Sequence, residues 1–378
     1  MTTLLVILFS VFTALLWLST FGWLALLGAI TMFRRPNADR LAEGKIDIAV
    51  VIPSLNEEHL IQAKLQDMKR TDYPPDRMRV LILDGGSTDK TPALVTQSIE
   101  EGEAVQLVRL EHAQGKSDQI NYALLNVAQD IIVFTDVDAR LAPMCIGELV
   151  RTLMREPSTS VVGAVIHPDT AFVEERIYWS FLNTLWWMEG EALGFAGVSG
   201  VCYAVRRSSV LPLLPGIRGE DMHLALTAAA RGFGVRLCRT AHATEIRVPH
   251  TIREFFRFRY RRGHAYLSEL LSAARGEWTT KRRLIVCVVR LWHFFITPLL
   301  SIGVLLTGTA LAWTPHWPWL LGTLLAFAVP AAGIILATER LMPTGLPRRT
   351  LIQGVCRLGG LAWLALLWTS LSTRWSRG

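Results

Sequence analysis

The chain lacks the sequence signals of several common protein classes. Its five cysteines show no paired spacing, so the sequence indicates neither a disulfide framework nor a zinc site. No Gly-x-Gly-x-x-Gly follows the first predicted strand, which argues against a dinucleotide-binding site. No internal repeat or low-complexity tract is present, and nothing in the net charge of +7 demands nucleic acid. The sequence therefore indicates a folded protein with no nucleic-acid partner.

Charged residues are also absent from the first apolar block, Leu4 to Met32. The block is longer than a signal-peptide core and no small-residue cleavage site follows it, although a cleaved signal peptide stays open as the alternative. Arg34 and Arg35 come next, and positive charge favours the cytoplasmic side. We therefore expect residues 1–33 to form a transmembrane helix that is followed by a cytoplasmic domain.

The other end of the chain is also apolar. It contains the blocks Leu284 to Trp313, Trp317 to Thr338 and Leu351 to Leu371. A basic loop before the third block is predicted to lie inside, but arginines after that block would then lie outside, so the third block either spans or lies in the interface. The predicted order is a transmembrane helix at 1–33, a cytoplasmic domain at 34–249, interfacial amphipathic helices at 250–283 and a membrane region of about three spans at 284–378. We expect an integral protein of the inner membrane that contacts membrane lipids.

Strand and helix patterns alternate in the first half of the cytoplasmic part. The predicted strands are Ile46–Pro53, Met78–Leu83, Val105–Leu110 and Ile131–Phe134, with a helical stretch after each of the first three. This alternation predicts an α/β fold with a parallel sheet covered by helices on both faces.

Two carboxylates follow the fourth strand, in the run Thr135-Asp136-Val137-Asp138. Residues two apart on a strand point to one face, so both can face a ligand beyond the carboxyl edge of the sheet. Hard oxygen ligands at that edge suit Mg²⁺ or Mn²⁺ that carries a diphosphate. A solvated turn is the alternative, because such pairs often occur by chance.

Five motifs occur in order along the chain. They are Ile52-Pro53-Ser54-Leu55-Asn56-Glu57, Asp84-Gly85-Gly86-Ser87-Thr88-Asp89, Gly115-Lys116, Thr135-Asp136-Val137-Asp138 and Gly219-Glu220-Asp221. Together they resemble the family-2 inverting glycosyltransferases, which implies a Rossmann-like, A-type nucleotide-sugar-binding fold. The flanking apolar blocks resemble the membrane-integral subset that includes cellulose, hyaluronan and poly-N-acetylglucosamine synthases and ceramide glucosyltransferase.

The resemblance implies donor-binding roles in the first three motifs. Pro53 and Glu57 would lie beside the nucleotide, and Asp84 would accept a hydrogen bond from a uracil ring N–H. Gly85 replaces the second acid of the commoner Asp-Asp-Gly-Ser pattern, which leaves the ribose contact or the choice of base open. Lys116 opens a helix, so its ammonium and the helix N-terminus could both meet phosphate. Without the resemblance, helix capping explains the loop at Glu57 equally well.

The resemblance assigns metal binding and catalysis to the last two motifs. Asp138 would bind Mg²⁺ or Mn²⁺, with Asp136 directed toward the nucleotide or the metal. Asp221 would be the catalytic base that takes the proton from the acceptor hydroxyl during inverting attack. Glu220 and Gly200 would line the acceptor site. The alternative for the last motif is an ordinary helix start, where acidic residues are favoured.

The stretch Arg253 to His264 alternates arginines with aromatic residues. It predicts an amphipathic interfacial helix with phenylalanines in the acyl boundary and arginines on lipid phosphate. The resemblance adds a counterpart of the Gln/Arg-x-x-Arg-Trp motif, in which Arg259 would hold the diphosphate and Tyr260 would stack on an acceptor ring. Phe256 replaces the usual Gln and Tyr260 the usual Trp, so processive synthesis is not implied.

These observations predict a membrane-bound, metal-dependent, inverting glycosyltransferase. It would move one sugar from a nucleotide diphosphate sugar, expected to be a UDP-sugar, to an acceptor at the cytoplasmic membrane face. The first expectation for the acceptor is a lipid or a lipid-linked saccharide. A processive polysaccharide synthase is the second interpretation, because about three spans after the catalytic domain make a wide secretion channel hard to build. A catalytically silent membrane scaffold or sugar-nucleotide binder is the alternative of another class.

Overall fold

The computed structural model describes most of the chain. The described residues are 2–33, 46–110, 113, 115–213, 217, 219–275 and 280–355. The helices are α1 (Thr2–Trp17), α2 (Trp23–Phe33), α3 (Ile61–Lys69), α4 (Thr91–Glu100), α5 (Lys116–Asn126), α6 (Cys145–Arg155), α7 (Val173–Leu193), α8 (Glu220–Ala230), α9 (Ile252–Arg275), α10 (Lys281–Leu291), α11 (Thr297–Ala312) and α12 (Pro318–Leu341). The strands are β1 (Ile48–Ser54), β2 (Met78–Asp84), β3 (Val105–Arg109), β4 (Ile131–Thr135), β5 (Ala139–Leu141), β6 (Thr159–Pro168), β7 (Cys202–Arg206) and β8 (Gly234–Glu245).

The first four strands form the parallel half of one eight-stranded sheet, in the order β3-β2-β1-β4. Every residue of β1 is buried, as is every residue of β4. Strands of this kind need cover on both faces, which explains their continuous apolar runs. This half confirms the predicted α/β alternation, and each strand ends within one residue of the predicted position.

The second half of the sheet is mixed, so the predicted all-parallel sheet is wrong there. β7 runs antiparallel to β4 and β6, β5 runs antiparallel to β8, and β6 and β8 are parallel to each other. The sequence did not reveal these directions, because a strand buried on both faces is apolar whichever way its neighbour runs. β7 lies between β4 and β6 and is antiparallel to both, so β4 and β6 run in the same direction. β8 is parallel to β6, and the carboxyl ends of β4, β6 and β8 therefore lie at one edge of the sheet.

Three helices within the described residues are long and apolar enough to cross a membrane: Thr2–Phe33, Leu284–Ala312 and Pro318–Leu341. The first contains α1 and α2, and α1 packs along α11 of the second. Each of these two apolar helices contains a short π-helical turn, Leu18–Gly22 in the first and Trp292–Ile296 in the second. The remaining predicted apolar block, 351–371, lies largely outside the described residues and stays a prediction.

Helix α7 joins the sheet to the apolar helices. It packs on β6 and β8 and also contacts α2 and α12. Two buried acids of α7 form ion pairs with arginines of the following helices, Glu175 with Arg259 on α9 and Glu189 with Arg290 on α10. Breaking one side of a buried pair leaves an uncompensated charge, so these pairs fix how α9 and α10 sit against the α/β domain.

Candidate functional site

Asp136 and Asp138 lie in a tight turn between β4 and β5, called the acidic turn below, at the predicted carboxyl edge. The Asp136 N–H donates to Val201 O at 3.1 Å, and Asp138 O accepts from the Ile246 N–H at 2.9 Å. Both residues follow the strand rather than belonging to it, so the turn, not strand alternation, brings the carboxylates together. Burial and the neighbouring charge of Asp136 raise the pKa of Asp138.

A buried lysine that the sequence did not single out supports the acidic turn. The Lys64 ammonium donates to Thr135 Oγ1 and to Ala139 O, each at 2.9 Å. Burial lowers the pKa of Lys64, and the Asp67 carboxylate at 3.7 Å works in the opposite direction. A signal for this role existed, because Lys64 follows Ile61 by three residues on the apolar stripe of α3, where a lysine needs a buried partner.

Pro53 and Asp84 lie at the ends of the neighbouring parallel strands β1 and β2. Proline suits this end of β1, because pairing with β4 stops at Val51 and the missing N–H breaks no ladder there. The Asp84 carboxylate is buried, accepts the Ser87 N–H at 3.2 Å, and lies 3.5 Å from Arg109 Nε. Both residues are where the nucleotide was expected, and their contacts with it stay predictions.

Gly85 departs from the family pattern for a steric reason. A Cβ at this position would lie 2.9 Å from Nε2 of Gln119. The side-chain amide of Gln119 is already hydrogen-bonded, since it donates to Ser54 O at 2.8 Å and to Leu83 O at 2.6 Å. Gln119 ties α5 to the ends of β1 and β2, so an acidic side chain at position 85 would displace it.

Glu57 lies in a loop that is hydrogen-bonded to the loop after β2. Asn56 adopts a φ of 56°, which asparagine tolerates better than most residues, and its N–H donates to Ser87 Oγ at 2.8 Å. Helix α3, the helical stretch predicted after β1, therefore begins only at Ile61. The Glu57 carboxylate forms a two-point ion pair with Arg247, which follows β8 and was not predicted.

Lys116 connects the acidic turn to the predicted base. Helix α5 begins at this residue, directly after Gly115, whose φ of 141° favours glycine. The Lys116 ammonium lies 2.5 Å from Asp136 Oδ1 and 2.8 Å from Glu220 Oε1. Burial alone would lower the pKa of Lys116, but the two carboxylates raise it well above its usual value. The lysine therefore bridges two carboxylates here, and its contact with phosphate stays a prediction.

Asp221 lies in the first turn of α8, with its carboxylate held by backbone amides. Gly200 N–H donates to Oδ2 and Met222 N–H to Oδ1, each at 2.7 Å. Burial and the charge of Glu220 raise the pKa of Asp221 to about 6, although Lys116 and these amides act to lower it. Burial would also raise the pKa of Glu220, but Lys116 overrides it and the pKa is lowered. Two adjacent carboxyls with opposite shifts are typical of an acid–base site.

Gly200 lies at the centre of this cluster of charges. A Cβ there would lie 3.0 Å from Lys116 Nζ, 3.6 Å from Glu220 Oε1 and 3.7 Å from Asp221 Oδ2. Gly200 therefore lies beside Glu220 and the predicted base, and its role toward the acceptor stays a prediction.

Arg259 on α9 contacts helix α7. Its guanidinium pairs with the buried Glu175 and packs 3.5 Å from the centre of the Tyr178 ring. Within the described part of the chain, no ion pair or ring contact of Arg259 reaches the acidic turn. Tyr260 lies with its ring 5.8 Å from that of His264. The diphosphate and acceptor contacts of Arg259 and Tyr260 stay predictions.

Arg262 is the arginine of α9 that faces the cluster, and the sequence motif did not point to it. It forms an ion pair with Glu245, the last residue of β8. Burial acts to lower the pKa of Arg262, but Glu245, and also Asp221, raise it. Burial raises the pKa of Glu245 to about 6 against the effect of Arg262. Helical spacing offered a signal, because residues three apart share a face and Arg262 follows Arg259 by three.

Carboxylates outnumber cations around this site, as a divalent metal would require. The side chains concerned are the acids Glu57, Asp136, Asp138, Glu220, Asp221 and Glu245 and the bases Lys116, Arg247 and Arg262. In the described residues no group of three His, Cys, Asp or Glu side chains forms a metal cage. Two carboxylates still fit Mg²⁺ or Mn²⁺, because such ions bind through one or two carboxylates together with substrate phosphates.

Two family models match the chain. One, described as glycosyl transferase family 2, matches residues 49–210, and the other, described as glycosyl transferase family group 2, matches residues 131–337, more than half of the chain. The chain belongs to glycosyltransferase family 2. Both matched regions of this family-2 glycosyltransferase include the acidic turn, and the second also includes Glu220 and Asp221.

Relatives of this family-2 glycosyltransferase are distant in sequence. It is 27% identical over 265 residues to Probable glycosyltransferase YdaM of Bacillus subtilis, a match that covers 66% of this chain and 62% of that protein. It is 33% identical over 96 residues to a beta-monoglucosyldiacylglycerol synthase of Synechocystis sp., which covers 25% of this chain and 20% of that protein. The matches thus span less than two thirds of these relatives' lengths.

A solved structure shows the same fold over nearly the full length. Mannosyltransferase PcManGT from Pyrobaculum calidifontis, in complex with GDP-Man and Mn²⁺, is similar with a TM-score of 0.70 at 21% identity, over 97% of this chain and 99% of that one. This likeness confirms the A-type glycosyltransferase fold for this family-2 chain, with the mixed sheet described above.

Proposed function

We propose that this family-2 glycosyltransferase transfers one sugar from a UDP-sugar, with inversion, to a lipid or lipid-linked saccharide at the cytoplasmic face of the inner membrane. The observation that carries the proposal is the position of Lys116 between Asp136 and Glu220. This bridge joins the donor side of the site to the predicted base, Asp221, in one charged cluster.

The donor side consists of the carboxyl ends of β1, β2 and β4. Asp84 would accept a hydrogen bond from the uracil ring, and Glu57, held by Arg247, would contact the ribose or base. Asp138 and Asp136 would hold Mg²⁺ or Mn²⁺, which when bound would neutralise charge on the leaving diphosphate. Lys116 would bind the same diphosphate, once it has exchanged one carboxylate partner for phosphate oxygen.

The chemistry on the acceptor side is proton removal by Asp221. The acceptor oxygen forms a bond to C1 of the sugar while the bond from C1 to the diphosphate oxygen breaks. The nucleoside diphosphate leaves with the bonding electron pair, and the hydroxyl proton moves to Asp221. A pKa of about 6 supports this role, because the carboxylate is then ionised at neutral pH and more basic than an ordinary aspartate.

The acceptor class is inferred from the membrane character of the chain and from a relative's name. Three helices are long and apolar enough to span a bilayer. The Synechocystis relative is named as a synthase of a glucosylated diacylglycerol. Residues 34–249 would form the cytoplasmic catalytic domain, and α9 would lie in the interface with its exposed arginines, Arg253, Arg257 and Arg261, near lipid phosphate.

The test uses the full chain, purified in nanodiscs that contain a membrane lipid extract. It is incubated with Mn²⁺ and a panel of radiolabelled nucleotide sugars that includes UDP-glucose, UDP-galactose, UDP-N-acetylglucosamine and GDP-mannose. We expect one UDP-sugar to yield a single organic-extractable product whose anomeric configuration is opposite to that of the donor. A ladder of long water-soluble chains would indicate a polysaccharide synthase instead, and nucleotide binding without any transfer would indicate a silent scaffold.

A further inference from the structure

A cavity of about 470 Å³ lies beyond the carboxyl end of β6, away from the residues discussed so far. It is enclosed by that strand end, by α7 and by the loop that follows α12. Its lining includes the polar side chains of Asp169, Thr170, Arg176, Asn183 and His250. Asp169 and His250 are exposed, so the cavity opens to the surface on their side. The volume is typical of small-molecule sites, which measure about 300–1,000 Å³.

The cavity adjoins the acidic turn through the end of β8. The Asp169 N–H donates to Glu245 O at 2.9 Å, and the Ile246 N–H donates to Asp138 O, also at 2.9 Å. Ala139, beside Asp138, pairs with Glu245, and Glu245 pairs with Pro168. Two strand spacings, about 10 Å in total, therefore separate the acidic turn from the mouth of the cavity.

Trp179 provides a second connection. It lines the cavity, is only 1% exposed, and its indole N–H has no hydrogen-bond partner among the described residues. Its ring lies 5.7 Å from the guanidinium of Arg262, which is paired with Glu245 and whose pKa is raised by Glu245 and Asp221.

The lining favours a neutral polyhydroxylated ligand over a phosphate. Asp169 offsets the charge of Arg176, so the cavity has no excess of fixed positive charge. Burial, His242 and Arg176 lower the pKa of His167, which disfavours a positive charge there. The Asn183 amide is already hydrogen-bonded to the Ile166 backbone. The Asp169 carboxylate and the remaining nitrogens of Arg176 and His250 offer acceptors and donors that match sugar hydroxyls, whereas a phosphate needs unopposed cations.

We propose that this cavity is a saccharide subsite that holds a sugar of the acceptor. The acceptor would then be a lipid-linked saccharide rather than a lipid whose reacting hydroxyl belongs to the lipid itself. This deepens the proposed transfer and rests on it. The bound sugar would lie beside Asp169, on the side of the cavity that is nearest to Glu245 and the acidic turn.

The test measures sugar binding directly, by saturation-transfer NMR on the full chain in nanodiscs. The probes are dodecyl glycosides of glucose, galactose, mannose and N-acetylglucosamine, and dioctanoylglycerol serves as the sugar-free lipid. Ala171→Trp partly fills the cavity from its rim, and Ala104→Trp is the matched control at an exposed alanine near β3. Binding of UDP with Mn²⁺ reports on folding and on the donor site.

We expect at least one glycoside to bind through its sugar ring, with Ala171→Trp abolishing this signal and Ala104→Trp leaving it intact. Asp169→Asn should weaken binding about tenfold, the loss of one charged hydrogen bond. UDP binding should survive in all three variants. If Ala171→Trp misfolds and loses UDP binding, the subsite is tested by glycoside binding to Asp169→Asn alone.

The subsite is overturned if no glycoside binds the wild type, or if binding is unchanged in both cavity variants. Failure of the proposed function is a separate result, because it would appear as wild-type protein that binds UDP but neither hydrolyses nor transfers from any nucleotide sugar.

Discussion

The ammonium of Lys116 lies 2.8 Å from the carboxylate of Glu220, and this contact separates two acids that are adjacent in the chain. Glu220 pairs with the lysine, and its pKa is lowered. Asp221 accepts hydrogen bonds from backbone amides, but burial and the charge of Glu220 raise its pKa to about 6. One acid is thereby held ionised, while the other can accept a proton near neutral pH.

The pH dependence of transfer should report Asp221. Its pKa is raised, and the reactive form is the deprotonated one. We therefore expect kcat/KM to fall about tenfold per unit as the pH drops below about 6. Glu220→Gln removes the negative neighbour that raises this pKa, so the acidic limb should move to lower pH. A limb that stays in place in Glu220→Gln would show that another group controls it.

Asp138→Asn should remove metal-dependent donor binding. The substitution deletes one of the two carboxylates in the acidic turn, and amide oxygen is a weaker ligand for Mg²⁺ or Mn²⁺. Calorimetry with UDP should show strong dependence on Mn²⁺ in the wild type and little in the variant. Asp130→Asn makes the same charge change at the opposite end of β4 and is the control. Equal Mn²⁺ dependence in both variants would contradict the assignment.

Gly200→Ala should impair catalysis without unfolding the protein. The added Cβ would lie 3.0 Å from Lys116 Nζ, so the bridge between Asp136 and Glu220 must shift. We expect kcat to fall at least tenfold, on the order of a small displacement of catalytic groups. Gly263→Ala is the control: no atom lies within 4 Å of its new Cβ, so kcat should stay unchanged. Equal rates for the two variants would remove Gly200 from the site.

Lys64→Met should destabilise the protein and disturb the acidic turn. The variant leaves Thr135 Oγ1 without its buried donor, whereas Ala139 O keeps the Arg140 guanidinium at 3.1 Å. Unsatisfied buried acceptors cost about 1–3 kcal/mol each. Lys69→Met, on the same helix, loses only a pair between an exposed lysine and Glu103, and pairs with an exposed partner are worth about 0.2–1 kcal/mol. Thermal unfolding of the two variants in parallel distinguishes the roles, and identical midpoints would be contrary to this account.

The sequence predicted those parts of the fold and site that depend on local pattern. The strands β1 to β4 and the position of Asp136 after β4 follow from apolar runs and turn residues that lie close together in the chain, whereas Asp221 was expected as the base only from the family resemblance. Arg247 and Arg262 could not be predicted in the same way, because each acquires its role from a carboxylate on another element. The antiparallel direction of β7 was equally hidden, since pairing direction is a property of the assembled sheet.

Asp221→Asn provides the most direct test of the central claim. Asparagine keeps the size of the side chain but cannot take the acceptor proton, and the donor side is untouched. Measured on one purified sample, UDP-sugar binding should equal that of the wild type while transfer falls about 10²–10⁴-fold. Transfer at the wild-type rate in Asp221→Asn would contradict the account.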